Sequence, residues 1–253
     1  MSLIVEKSGR IAKVTIDRVP VNALTLDSYE ELADVFSDLP KDPDISCIIL
    51  TASGAKAFCA GLDLKEFLSA TVEQDPHRAQ IVRRTFSSVR HAAVPVIAAV
   101  NGPALGAGCV LASVCDIRLA TPNATFGLPE VNVGRCGGTA HMGRHLPPGI
   151  LRQMVFTAMP ISAEEAYRFG FVNAIHDADA LQGAAEDMAR LIASKAPLGL
   201  RLGKESMNRA EFMDVEEGYE LEQSYSTRLM TTQDAREATR AVVEKRPPVY
   251  VGR

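Results

Sequence analysis

The chain has 253 residues, of which 47% are hydrophobic and 23% charged, with a formal net charge of −4. That balance is ordinary for a globular protein and excludes a wholly disordered chain, and the length suffices for one large domain or two small ones with a substantial core. The negative net charge gives no electrostatic drive toward nucleic acid.

Met1 to Arg10 carries Glu6, Lys7 and Arg10 among few apolar residues and lacks the apolar core of a secretory signal. The longest apolar stretch, Val94 to Val100, is interrupted by Pro95 and is too short to span a bilayer. Five cysteines (Cys47, Cys59, Cys109, Cys115 and Cys136) form no CxxC pair and suit reduced, mostly buried thiols. The expectation is a soluble cytoplasmic protein without membrane insertion.

Ile11 to Ile16 alternates apolar and polar residues and predicts a strand with one buried face, forming a hairpin with an earlier strand across Ser8-Gly9. Leu26 to Leu39 has helical spacing and stops at Pro40. Cys47 to Leu50 is a continuous apolar run, as expected of a strand covered on both faces. Arg78 to His91 predicts a helix and Val94 to Val100 a buried strand; Gly106 to Ser113 reads as a glycine-rich turn leading into a short helix. Cys115 to Ala120 and Ala124 to Phe126 predict two more short strands, so this part reads as an α/β core of repeated ββα turns. Beyond about residue 140, six segments suit helices: Ile150 to Thr157, Ala163 to Phe169, Ala180 to Ser194, Leu198 to Ala210, Val215 to Leu229 and Ala235 to Glu244. We divide the chain into a core over residues 1–195 and a helical region over 196–253 that packs on the core or on a neighbouring subunit.

Two glycine-containing segments about forty-five residues apart carry the chemical signal: Ala57-Phe-Cys-Ala-Gly-Leu-Asp-Leu64 and Asn101-Gly-Pro-Ala-Leu-Gly-Ala-Gly108. Each places backbone without side-chain bulk before a predicted helix, where free N–H groups sit at the positive end of the helix dipole. Two such groups brought together would hold an oxygen on which negative charge develops. Tight turns alone also account for Gly61, Gly106 and Gly108. No cluster has metal-ligand spacing, and no metal is expected.

The two segments in this order resemble the enoyl-CoA hydratase/isomerase (crotonase) family. Asn22-Ala-Leu24, Phe126-Gly-Leu-Pro-Glu130, and Ser162-Ala-Glu-Glu-Ala166 followed by Gly170-Phe-Val-Asn173 extend the resemblance over nearly the whole chain. The resemblance implies a crotonase-like spiral of ββα repeats followed by a C-terminal helical trimerisation region, giving a homotrimer or a dimer of trimers. It implies an acyl-CoA thioester as substrate, with coenzyme A as part of the substrate and no prosthetic group. The backbone N–H groups of Leu62 and Ala107 would form the oxyanion hole, and Glu130 would be the general acid/base. Ala60, Leu62, Asp63, Leu64 and Lys65 would lie along the CoA path with Ala23 near it, while Asp63 also fits the cap of the following helix.

The sequence departs from the family's hydratases at one decisive place. They use a second glutamate shortly after the oxyanion-hole glycines, and that position here is Val110. The segment Val133-Gly-Arg-Cys-Gly-Gly-Thr139 is also shorter than the family's loop and lacks its Pro-Gly step. A single glutamate is also the pattern of the family's enoyl-CoA isomerases, so proton transfer between two carbons is slightly favoured. Hydration by a modified site, hydrolysis or decarboxylation of a specialised acyl-CoA, and a non-catalytic acyl-CoA-binding scaffold stay open. Arg135, His141, Arg144 and His145 could supply missing functions or serve as surface and contact residues, and Cys136 has no assignable partner as a nucleophile. Asp116 reads as structural; Lys204, Arg228 and Lys245 could meet CoA phosphates or be ordinary solvated charges.

Overall fold

The computed structural model describes residues 2–252. Strands β1 (Leu3–Ser8) and β2 (Ile11–Ile16) pair antiparallel across Gly9, whose positive φ of 56° the tight hairpin requires. Helix α1 (Leu26–Asp38) follows, capped by the Thr25 hydroxyl and ended at Leu39-Pro40, as its spacing and proline predict. Strand β3 (Cys47–Ala52) comes next, then a short helix α2 (Leu64–Ser69) and the long helix α3 (Asp75–Arg90).

Beyond α3 the chain runs through β4 (Val96–Val100), β5 (Ala104–Leu105) and α4 (Ala107–Ser113). It continues through β6 (Ile117–Ala120), β7 (Thr125–Gly127), a 3₁₀ turn Glu130–Val133, α5 (Thr139–Met142) and α6 (Pro148–Thr157). Then come β8 (Ile161–Ser162), α7 (Ala163–Arg168), β9 (Ala174–Ile175) and α8 (Leu181–Ala193). Helices α9 (Pro197–Ala210), α10 (Val215–Met230) and α11 (Gln233–Val243) complete the chain.

The strands form a six-stranded sheet in the order β1-β2-β3-β4-β6-β9, parallel from β2 onward, and a small sheet β5-β7-β8. Alternate side chains of β3 enter different cores: Ile48 and Leu50 join Leu32, Phe36 and Val89 of α1 and α3, whereas Cys47 and Ile49 join Leu181, Ala185 and Ala189 of α8. Burial on both faces is why this strand reads as an unbroken apolar run.

Each turn of the spiral visits the large sheet, then the small one, then a helix. Strand β3 is followed by a bridge at Cys59 and by α2, β4 by β5 and α4, and β6 by β7 and the Glu130 turn. The stations of the small sheet stack in register, Cys59 on Ala104 and then Leu105 on Gly127. Whatever follows that station in each turn is therefore brought to the same edge of the molecule.

The C-terminal helices are tied down by polar contacts more than by apolar burial. In α9, Arg201 donates to the carbonyls of Pro40, Asp42 and Ile45 at 2.6, 3.1 and 2.9 Å, and Lys204 is buried against Asp116 at 2.7 Å. Helix α10 packs on α9 around the buried Tyr225, whose hydroxyl donates to Glu205 at 2.6 Å. Among the described residues, no helix is long and apolar enough to cross a membrane.

Candidate active site

Asn22 starts the construction. It is fully buried at a positive φ of 54°, and its amide donates at 2.9 Å to the carbonyls of Ser53 and Ala57. Asn is among the residues that tolerate this conformation, and its side chain fixes the loop it sits in. The segment after it pairs with the first glycine segment: Ala60 N–H donates to Val21, Leu24 to Gly61 and Asp63 to Leu24, at 3.0, 2.7 and 2.9 Å. Ala23, Ala60, Leu62 and Asp63 are consequently neighbours along one half-buried rim, with Leu64 and Lys65 exposed beyond it.

The pairing uses the atoms on either side of Leu62 and leaves its own N–H free. Ala107 is the first residue of α4, so its N–H has no partner inside the helix. Among the described residues, neither N–H donates to a backbone carbonyl. The two segments touch: a β-carbon on Gly61, which has a φ of 95°, would lie 3.0 Å from the Leu105 oxygen and 3.4 Å from the Ala107 nitrogen.

Glu130 arrives from the third spiral turn. A β-carbon on Gly106 would lie 3.2 Å from its Oε1, so the carboxylate borders the same glycine that precedes Ala107. Among the described residues, its Oε2 is buried with no hydrogen-bond partner, and burial raises its pKa above the usual carboxylate range. Two unpaired N–H groups beside one unpaired carboxylate make a place where an oxygen can gain charge while a nearby carbon exchanges a proton.

Val110 is only 3% exposed, and its Cγ2 and the Leu128 methyls crowd Gly138, where a β-carbon would fall 2.8 and 2.7 Å from them. This wall beside Glu130 is apolar. The charged residues that follow Glu130 are occupied elsewhere. Arg135 pairs with Asp75 at 2.5 Å and lies 4.7 Å from the Phe67 ring centre, joining the Glu130 turn to α2 and α3. His141 stacks edge-on against Phe86, and Arg144 pairs with Glu211. His145 shares a 2.9 Å hydrogen bond with the Ser113 carbonyl. Cys136 is exposed, whereas the other four cysteines are buried.

Other expectations resolve in the same way. Asp63 is the helix cap: its Oδ1 accepts from the N–H groups of Lys65 and Glu66 at 3.0 and 3.2 Å. Lys204 is 3% exposed and spent on Asp116 and the Val94 carbonyl, which removes it from the candidates for CoA phosphate. Arg228 lies over the Tyr225 ring, and Lys245 is exposed at a positive φ of 53° past the end of α11. A cavity of about 710 Å³ between the core and α9 is lined by Arg90, Asp116, Arg144, Lys204 and Glu211, and neither Glu130, Leu62 nor Ala107 borders it.

The enoyl-CoA hydratase/isomerase family model matches residues 6–253. The chain belongs to that family. It is 36% identical over 249 residues to a short-chain-enoyl-CoA hydratase of Clostridium acetobutylicum, covering 97% of this chain and 95% of the relative. A carnitinyl-CoA dehydratase of Proteus mirabilis is 34% identical over 262 residues, covering 100% and 99%. An enoyl-CoA hydratase structure from Bacillus anthracis superposes with a TM-score of 0.96 at 33% identity and full coverage of both chains. The crotonase resemblance and the crotonase fold expected from the sequence both stand.

Within this enoyl-CoA hydratase/isomerase scaffold, four polar side chains near the site escape the sequence motifs. Arg18 donates to the Ala23 carbonyl and reaches Asp63 at 3.8 Å. Tyr29 is 1% exposed, and burial above all raises the pKa of its phenol, with Cys59, Glu130 and Glu66 adding to the rise and Arg78 opposing it. Glu66 accepts the Leu26 N–H at 3.1 Å and pairs with Arg78 at 3.1 Å. Helical spacing flags Tyr29 as buried, but nothing in its spacing reveals which charges surround it.

Proposed function

We propose that the chain acts on an acyl-CoA thioester, with the Leu62 and Ala107 N–H groups holding the thioester oxygen and Glu130 moving the proton. An N–H pair with no other partner is matched to the enolate oxygen better than to a neutral carbonyl, so it acts on the barrier, and one such donor is worth about 3 kcal/mol. Coenzyme A enters as part of the substrate along Ala23, Ala60, Leu62, Asp63, Leu64 and Lys65. No prosthetic group is needed for this chemistry.

The observation that carries the finer reading is the buried Val110 packed with Leu128 and Gly138. Valine neither orients water nor exchanges a proton, which leaves Glu130 as the one member of the hydratases' glutamate pair present here. A lone carboxylate suits removal of a proton from one carbon of a 3-enoyl thioester and its return two carbons away, through a dienolate. Hydration is the second reading, favoured by the hydratase at 36% identity.

Separate incubation with a 3-enoyl-CoA and a 2-enoyl-CoA, followed by ultraviolet absorbance of the conjugated thioester, distinguishes them. Rising absorbance from the 3-enoyl substrate is expected. Falling absorbance from the 2-enoyl substrate, with a 3-hydroxyacyl product and no isomerisation, would replace this reading with hydration. Exposed apolar residues on the C-terminal region, including Phe212, Val215, Met230 and Val242, support assembly as a homotrimer or dimer of trimers.

A further inference from the structure

Glu66 stands in the first turn of α2, four residues after Leu62. Both of its oxygens are engaged: Oε2 accepts the Leu26 N–H at 3.1 Å, and Oε1 pairs with Arg78 Nη1 at 3.1 Å. Arg78 is 9% exposed, yet its Nη2 is buried with no hydrogen-bond partner. Tyr29 lies one turn along α1 from Leu26, held by its edge-on contact with Phe86 at 6.2 Å. Among the described residues, its hydroxyl makes no hydrogen bond, while its N–H donates to the Thr25 carbonyl at 3.0 Å and its carbonyl accepts from the Thr85 hydroxyl at 2.8 Å. Glu66 holds both the Leu26 N–H at the start of α1 and the Arg78 guanidinium of α3, and the Thr85 hydroxyl of α3 donates to the Tyr29 carbonyl of α1, so Arg78 and Tyr29 lie on two helices joined at this edge of the site.

A buried guanidinium N–H without an acceptor is costly unless a ligand supplies one, and the Tyr29 hydroxyl is free to share that ligand. Among the described residues, the only carboxylate paired with Arg78 is engaged through Nη1, so Nη2 still lacks an acceptor. We infer that Arg78 and Tyr29 form a subsite for an oxygen acceptor, a hydroxyl or a carboxylate, at the end of the acyl group remote from the thioester. The inference rests on the acyl-CoA reading of the site. Because a site built to hydrogen-bond a substrate discriminates strongly against an analogue that lacks the group, an acyl chain ending in a methyl group is disfavoured.

The test is calorimetric binding of saturated thioesters, which lack a double bond and so report on the subsite independently of Glu130 chemistry. Five- and six-carbon chains are compared: pentanoyl- and hexanoyl-CoA, 5-hydroxypentanoyl- and 6-hydroxyhexanoyl-CoA, and glutaryl- and adipyl-CoA. At one length or both, an oxygen-ended thioester is expected to bind at least about tenfold tighter than its methyl-ended counterpart. Preference for the hydroxyl series identifies a neutral acceptor, and preference for the glutaryl and adipyl series an anionic one. Arg78→Met should abolish the preference, and Tyr29→Phe should reduce it several-fold while keeping the ring in the core. Where Arg78→Met fails to fold because Glu66 is left unpaired, Tyr29→Phe decides. Equal or tighter binding of the methyl-ended chains at both lengths would overturn the subsite and leave the thioester reading standing, as would a preference untouched by Tyr29→Phe. No binding of any thioester would remove both.

Discussion

Gly108 in α4 faces the carbonyl of Cys59 so closely that a β-carbon would lie 2.1 Å from the Cys59 oxygen. That oxygen accepts the Leu105 N–H at 2.9 Å, so the contact also fixes the strand leading to Ala107. The two glycine segments are thereby locked together, and Gly108 is required for the approach itself rather than for an unusual φ. Gly108→Ala must push α4 away from the segment carrying Leu62, at a cost of about 3 kcal/mol, the upper range for overpacking. Denaturant unfolding should record that loss, and the turnover of the remaining folded protein should fall because the two N–H groups separate. Stability and turnover both within twofold of the parent would mean that the approach is not needed.

Glu130→Gln should lower turnover by about a thousandfold, the range for a lost general acid/base, with acyl-CoA binding nearly unchanged. The same substitution should stabilise the fold at pH 8. Burial raises the folded-state pKa of Glu130 above its unfolded value, so between the two values the folded protein keeps a proton that the unfolded chain has released. Wild-type stability therefore falls as pH rises through that window, and the glutamine has no such dependence. The variant's gain at pH 8, which comes from removing a charge held without a hydrogen-bond partner, should disappear as pH drops toward the ordinary carboxylate range. Unfolding of both proteins at pH 4.5 and pH 8 checks the sign.

Val110→Glu would restore a second carboxylate at the apolar wall. The Leu128 methyls that line this wall offer it no partner, so a loss of about 2–3 kcal/mol is expected for burying the polar group. If Val110 is what withholds water activation, hydration of a 2-enoyl-CoA should rise relative to isomerisation of a 3-enoyl-CoA in the folded variant. An unchanged product ratio would separate reaction type from this position.

Much of this was legible in the chain because local and tertiary preferences agree. The alternation in β2, the unbroken apolar run in β3 and the proline after α1 each have one structural solution, and the structure adopts it. The paired glycine segments predict free N–H groups, and among the described residues those of Leu62 and Ala107 donate to no backbone carbonyl. The place of Glu130 came from motif resemblance, since nothing local tells a Pro-Glu turn at a spiral edge from a solvated one. The Arg78–Glu66 pair was not legible at all: it joins α2 to α3 across twelve residues, and no local pattern reports such a pairing. The strands β5, β8 and β9 have two residues each, too few to show a period.

His145 is held neutral by burial, reinforced by the nearby Arg118 charge, which lowers its pKa to about 4. An unfolded histidine takes up its proton near pH 6.5, so between these values the unfolded chain binds the extra proton. The contribution is present at neutral pH and is lost as pH falls toward 4. Full conversion of the shift would give about 3 kcal/mol, and with partial solvent access about 1–2 is expected. The stability difference between the wild type and His145→Gln, followed from pH 7 to pH 4, should shift by that amount against the wild type. A flat difference would mean that the ring accepts its proton in the folded state.

The buried ion pair between Lys204 and Asp116 decides between an anchor and a ligand contact. Lys204 spans from α9 to Asp116 at 2.7 Å and to the Val94 carbonyl at 3.1 Å, and the same Asp116 oxygen accepts the Val96 N–H at 2.7 Å. One side chain thus joins α9 to the edges of two strands. Lys204→Met keeps the hydrophobic stem but leaves the Asp116 carboxylate, which is 28% exposed, without its cation, so a loss of about 2 kcal/mol is expected, below the range for a fully enclosed pair. Lys204→Met with Asp116→Asn should recover part of that loss, because the amide oxygen still accepts from Val96 without carrying a charge. Denaturation of the single and double variants measures the coupling. In the folded fraction, KM for an acyl-CoA should stay within twofold of the parent, because the ammonium group is already enclosed; a large rise in KM without loss of stability would instead place Lys204 on the CoA phosphates.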